Sequence, residues 1–190
     1  MNSALKTQTY IAKGKAPWFN NNWLDIDRVI SMNKLDSGTT VVCDGNVTDT
    51  AEMFRNFNEL TSIDLSNFDT SNVVFMDGMF YYCCKLTALD LSNFDTSKVK
   101  GMSCMFYHCS KLTSVDLSNF DTSNVTNMST MFCNCTNLTT IKGVIDMKSC
   151  TEECYDMFKN CPKLKDVKIK NSPANFDASG LSKSQYTIVS

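Results

Sequence analysis

Apolar positions recur along this chain with a fixed interval. Leu60, Leu86, Leu112, Leu138 and Leu164 stand 26 residues apart. Residues 112–137 read LTSVDLSNFDTSNVTNMSTMFCNCTN, and the stretches 60–85 and 86–111 nearly repeat them. In the unit that begins at Leu86, Leu89 and Leu91 flank Asp90. That alternation predicts an extended strand with one apolar side. Val99, Met102, Met105, Phe106 and Cys109 follow at gaps of three and four, which predicts a short helix with one buried face. Between them runs SNFDTS, whose Ser, Asn, Asp and Thr side chains suit turns and helix caps. Phe94 inside that run is expected to plug the core. Each unit therefore reads as strand, capped turn, short helix. A period in this range predicts a solenoid, because each unit buries its apolar face only against its neighbours.

The pattern LTxLDLSNFDTSxVxxMxxMFxxC resembles the 26-residue surface-protein repeat of the BspA-like leucine-rich-repeat proteins. The match is close for residues 60–137 and looser out to Lys170. The resemblance implies an α/β solenoid, a leucine-rich-repeat-like right-handed stack with one parallel β-sheet and short helices. It also implies a cell-surface or extracellular setting and a role in adhesion, without catalysis.

Three regions follow. Residues 1–33 do not fit the repeat and are expected to form an N-terminal cap. There Trp18, Phe19, Trp23, Leu24 and Ile26 either cover the open end of the core or offer an aromatic ligand platform. Residues 34–170 form the solenoid, with units starting near 34, 60, 86, 112, 138 and 164. The unit at 34 is degenerate, with its strand expected at Thr40–Cys43. The unit at 138 loses SNFDTS, and LKDVKIK is a last strand. Residues 171–190 form a C-terminal cap, with Tyr186, Ile188 and Val189 in a covering strand. No run is long and apolar enough for a signal peptide or a membrane span. A leader has been removed, or the protein leaves the cell by another route, or it stays inside.

Composition narrows the chemistry. The 190 residues carry a formal net charge of −2, which argues against nucleic acid as a partner. Of the ten cysteines, Cys83, Cys109, Cys135 and Cys161 share the 26-residue spacing. They read as a packed column of thiols, with disulfides as the alternative. Cys104 is expected to be exposed. No CxxC pair is present, so no structural zinc site is expected. His108 is the only histidine and occupies a position that varies between units, which marks it as solvated. No nucleophile-elbow or phosphate-loop motif accompanies it. The expectation is a non-enzyme with no cofactor and no metal.

Two surfaces remain as candidate sites. Asp64, Asp90 and Asp116 form a column of like charges, followed in that column by Lys142 and Lys168. It reads as a solvated face, a polar recognition strip, or a weak calcium site. The variable positions include Tyr81, Tyr82, Tyr107 and His108, residue types that suit interfaces. The expected function is a binding module that recognises a host or matrix protein, or a glycan. Alternatives are a phage-fibre or other virion component and a structural spacer. No membrane insertion is expected.

Overall fold

The computed structural model describes residues 9–12, 40–43, 47–150, 154–173, 176 and 180–190, the first two segments by backbone alone. The aromatic residues expected in the N-terminal cap lie outside the described residues. Among the described residues there are seven short strands, and every pairing between them is parallel. β1 (Thr9–Ala12) pairs with β2 (Thr40–Cys43), and β3 (Ser114–Asp116) with β4 (Thr140–Lys142). β5 (Val144–Asp146), β6 (Val167–Lys170) and β7 (Tyr186–Val189) form a third sheet in that order. β2, β6 and β7 fall where the apolar pattern predicts strands.

The single sheet expected from the sequence is thus divided into three. Isolated parallel bridges form a separate column, half a repeat away from the β3 position, that joins Asp49, Phe75, Gly101 and Asn127, and a further bridge joins Thr140 to Lys165. A register change separates the last two sheets. Ser114 pairs with Thr140, an offset of 26 (140 − 114), whereas Val144 pairs with Lys168, an offset of 24 (168 − 144). Gly143 lies between β4 and β5. Its φ is 91°, and a Cβ there would lie 2.7 Å from the Leu117 carbonyl group. Lys168 consequently sits opposite Val144, and the charge column read from the sequence does not run on through it.

The second departure concerns the helices. The segments spaced like helices are consecutive tight turns, and no α-helix occurs among the described residues. The Met79 N–H donates to the Met76 carbonyl (3.3 Å) and the Cys83 N–H to the Phe80 carbonyl (3.1 Å). Gly78 (φ 58°) and Tyr82 (φ 61°) hold the third position of these two turns, where a type II turn requires positive φ. Cys104 and His108, Thr130 and Asn134, and Asp156 and Asn160 repeat the arrangement in the following units. Alternate N–H groups of these turns point to the next unit. Those of Met76, Gly78, Phe80 and Tyr82 donate to the carbonyls of Gly101, Ser103, Met105 and Tyr107 at 2.9, 2.7, 2.9 and 2.8 Å. A helix would spend those donors inside its own segment. Successive four-residue turns bring every third and fourth residue back to one side, so the apolar spacing imitates a helix.

That side is the core. Phe54, Phe80, Phe106, Phe132 and Phe158 are buried and stack at 5.4, 5.7, 5.2 and 5.8 Å between ring centroids. Phe68, Phe94 and Phe120 make a second column at 5.7 and 6.3 Å. These separations lie in the range where aromatic pairs attract beyond simple burial. Beside them the thiols of Cys83, Cys109, Cys135 and Cys161 donate to the carbonyls of Phe54, Phe80, Phe106 and Phe132 at 3.1, 3.2, 3.0 and 3.0 Å. Burial pushes the Cys83 and Cys161 thiols up to about 12, and holds Cys109 and Cys135 well above the ordinary range. Cys83, Cys84, Cys104, Cys109, Cys133, Cys135 and Cys161 are free thiols.

The SNFDTS run joins units instead of capping helices. The buried Thr70 hydroxyl donates to the Asp95 carbonyl (2.9 Å) and accepts the Asp95 N–H (2.8 Å). Thr96 with Asp121 and Thr122 with Asp146 repeat the exchange. The Asn93 amide donates to the carbonyls of Leu65 and Phe68, and Asn119 to those of Leu91 and Phe94. Polar atoms enter the stack only with partners, as low-polarity surroundings require. Among the described residues no buried side-chain nitrogen or oxygen lacks one.

Candidate functional site

The acidic column resolves into local turns. Asp64, Asp90 and Asp116 are exposed, and each Oδ1 accepts the N–H of the serine two residues on, Ser66, Ser92 or Ser118, at 3.0 Å. The side chain of that serine, then its backbone N–H, holds the Asp90 and Asp116 carboxyls below the usual range. Asp116 also meets Lys142 at 3.3 Å in an exposed ion pair, an interaction of little net strength. Asp69, Asp95 and Asp121 accept from Ser71, Ser97 and Ser123 in the same way. Asp116 closes β3, while Asp64 and Asp90 lie outside the strands. Among the described residues no group of three or more His, Cys, Asp or Glu side chains is placed to hold a metal ion.

The aromatic candidates converge. Tyr81 and Tyr107, one unit apart, stack at 4.8 Å and 10°. Tyr82 and His108, their chain neighbours, stack at 4.5 Å and 11°. Tyr81 lies 4.9 Å from Tyr82 across the two columns. All four residues are half-buried, so His108 is packed and not the freely solvated residue its variability suggested. Its Nδ1 lies 3.7 Å from the Cys84 thiol. Burial, then the neighbouring Tyr107, raises the Tyr81 phenol above its ordinary value. Cys104, expected on the surface, is half-buried with its sulfur 2.9 Å from the Thr130 hydroxyl.

The sequence reading missed the residues that extend this cluster. The Arg55 guanidinium lies 4.6 Å over the Tyr81 ring, a cation–π contact, and pairs with Glu52. At the other end Lys159 pairs with Asp156 at 2.7 Å. The 26-residue register itself is the signal, since Arg55, Tyr81, Tyr107, Cys133 and Lys159 are one column. Asn56, Tyr82, His108, Asn134 and Asn160 are the adjacent one. The Asn160 amide donates to the Asn134 side-chain oxygen at 2.7 Å.

No helix among the described residues is long and apolar enough to cross a membrane. Residues 46–171 match the family model described as Mycoplasma protein of unknown function, DUF285. No curated protein and no solved structure matches the chain.

Proposed function

The chain belongs to the DUF285 family, and from that premise we propose that it is a non-enzymatic, cell-surface or secreted binding module of the BspA-like type. In this reading the 26-residue units stack as a leucine-rich-repeat-like solenoid, and one side of it recognises a host protein or glycan. The observation that carries the proposal is the convergence of Tyr81, Tyr82, Tyr107 and His108, from two successive units, into one half-buried ring cluster. Stacking restrains these rings before any ligand arrives, so little side-chain freedom is lost on binding. Tyrosine adds both apolar area and a hydroxyl. Catalysis has less support. His108 stands beside the Cys84 thiol, but burial holds that thiol above its ordinary range, which disfavours the nucleophilic thiolate.

The test is binding of the full chain to purified extracellular-matrix proteins and to a defined oligosaccharide array. The triple variant Tyr81→Ser, Tyr82→Ser, Tyr107→Ser, checked for an unchanged circular dichroism spectrum, is expected to lose binding. Full retention of binding by that variant removes the ring cluster as the site.

A further inference from the structure

The ring cluster is the middle of a longer comb. Asn56, Tyr82, His108, Asn134 and Asn160 all adopt left-handed backbone, with φ of 64°, 61°, 60°, 65° and 60°. Equal backbone geometry in successive units sends equivalent side chains off the stack in equivalent directions. The comb therefore presents one hydrogen-bonding side chain per unit, flanked by the column that holds Tyr81 and Tyr107. Its pitch is that of the ring contacts, 4.5 Å for Tyr82 on His108 and 4.8 Å for Tyr81 on Tyr107.

Three properties of this surface select a ligand class. The first is charge. Its two cations, Arg55 and Lys159, are each paired with an acid, Glu52 and Asp156, and the groups between them are phenols, an imidazole, amides and the buried Cys133 thiol. A strongly anionic or cationic ligand gains little there. The second is the backbone. The N–H groups of Asn56, Tyr82, His108 and Asn134 already donate to Tyr81, Tyr107, Cys133 and Lys159 of the next unit at 2.7, 2.8, 2.9 and 2.8 Å. An added peptide strand needs free main-chain groups at an edge, and these are spent. The third is the pitch. With bonds of about 1.5 Å, a sugar ring with its linking oxygen extends roughly 5 Å. A linear glycan laid along the stack keeps step with the units.

We propose that positions 82, 108, 134 and 160, with Tyr81 and Tyr107 beside them, form a row of subsites for a linear, uncharged glycan, one sugar per 26-residue unit. This rests on the binding-module reading and names its ligand. Tyr82 and His108, stacked on each other, supply ring edges, and, beside their mutual hydrogen bond, the Asn134 amide N–H groups and the Asn160 side-chain oxygen supply donors and an acceptor for hydroxyls.

The experiment is calorimetric titration of the full chain with β-1,4-linked glucose and N-acetylglucosamine oligomers of one to six residues. A heparin-type sulfated oligosaccharide and an enzymatically deglycosylated matrix-protein mixture run alongside. Affinity for at least one neutral series is expected to rise with each sugar up to four or five residues and then level. Tyr82→Gly and His108→Gly, both compatible with left-handed backbone, are each expected to weaken the hexamer at least tenfold. Affinity independent of length, or tighter binding of the sulfated oligomer, overturns the subsite row. Tight binding of the deglycosylated proteins without the neutral oligomers overturns the glycan and leaves the binding module standing. Binding of no probe sinks both.

Discussion

Thr130 offers the sharpest test of the tight turns. Its backbone φ is 52°, and it is β-branched, the side-chain type least suited to that region. Gly78 holds the equivalent place two units earlier, with φ 58°. Replacing Thr130 by Ala or by Gly removes the same hydroxyl, with its contacts to Cys104 and Ser129. The two variants differ only in backbone cost. An alanine in left-handed conformation costs about 1–2 kcal/mol, and a glycine loses about 0.5–1 kcal/mol more chain entropy than alanine on folding. Thr130→Gly is therefore expected to be more stable than Thr130→Ala by about 0.5–1 kcal/mol. In a helix the order inverts, with alanine favoured by about 0.8–1.0 kcal/mol. Thr113, exposed and outside the positive-φ positions, is the control at which alanine should win. Urea unfolding at matched m-values reads the difference as a shift in midpoint. An alanine variant at 130 that outlasts its glycine counterpart would refute the turns and reinstate a helix.

Phe106→Ala removes a ring that is 0% exposed and stacked on both sides. A loss of about 3–5 kcal/mol is expected in the same urea assay, and a loss under about 1 kcal/mol would show that the column is not packed as described. A chromogenic disulfide reagent should label the half-buried Cys84 and Cys104 in the native protein. Cys83, Cys109, Cys135 and Cys161 should react only after unfolding, and mapping the labelled peptides by mass spectrometry decides it. Acid should weaken the fold through the carboxylates of Asp69, Asp90, Asp95 and Asp121, all held below their ordinary range by serine hydrogen bonds. The stability they contribute is fully present above the unfolded value of about 3.9 and disappears as pH falls through the lower folded values. Asp49, raised mainly by burial, acts in the opposite sense. Thermal midpoints measured between pH 6 and 2 should drop below about pH 4, and a flat profile would remove these turns from the account.

The repeat, its register and its buried face were legible from residue order alone. A side chain that recurs every 26 positions meets its counterpart in any stacked arrangement. The Phe columns and the cysteine column could therefore be read before their surroundings were known. Tyr81, Tyr82, Tyr107 and His108 were legible for the same reason, as non-core positions in adjacent units. Arg55, Lys159 and Asn160 were equally available from the register. They were missed because ordinary surface residues attract notice only once their column neighbours are rings.

Sequence by itself determined which residues are apolar, at what interval, and hence which must share an interior. It did not determine how the backbone carries them there. Gaps of three and four fit a helix or a run of four-residue turns equally well, since both return those positions to one side. The choice depends on where each N–H finds its acceptor. Only the neighbouring unit, with its carbonyls at 2.7–2.9 Å from Gly78, Phe80 and Tyr82, makes the left-handed turns better than a helix. The same holds for Gly143. It approaches the Leu117 carbonyl group closely, a contact between units that no local pattern encodes.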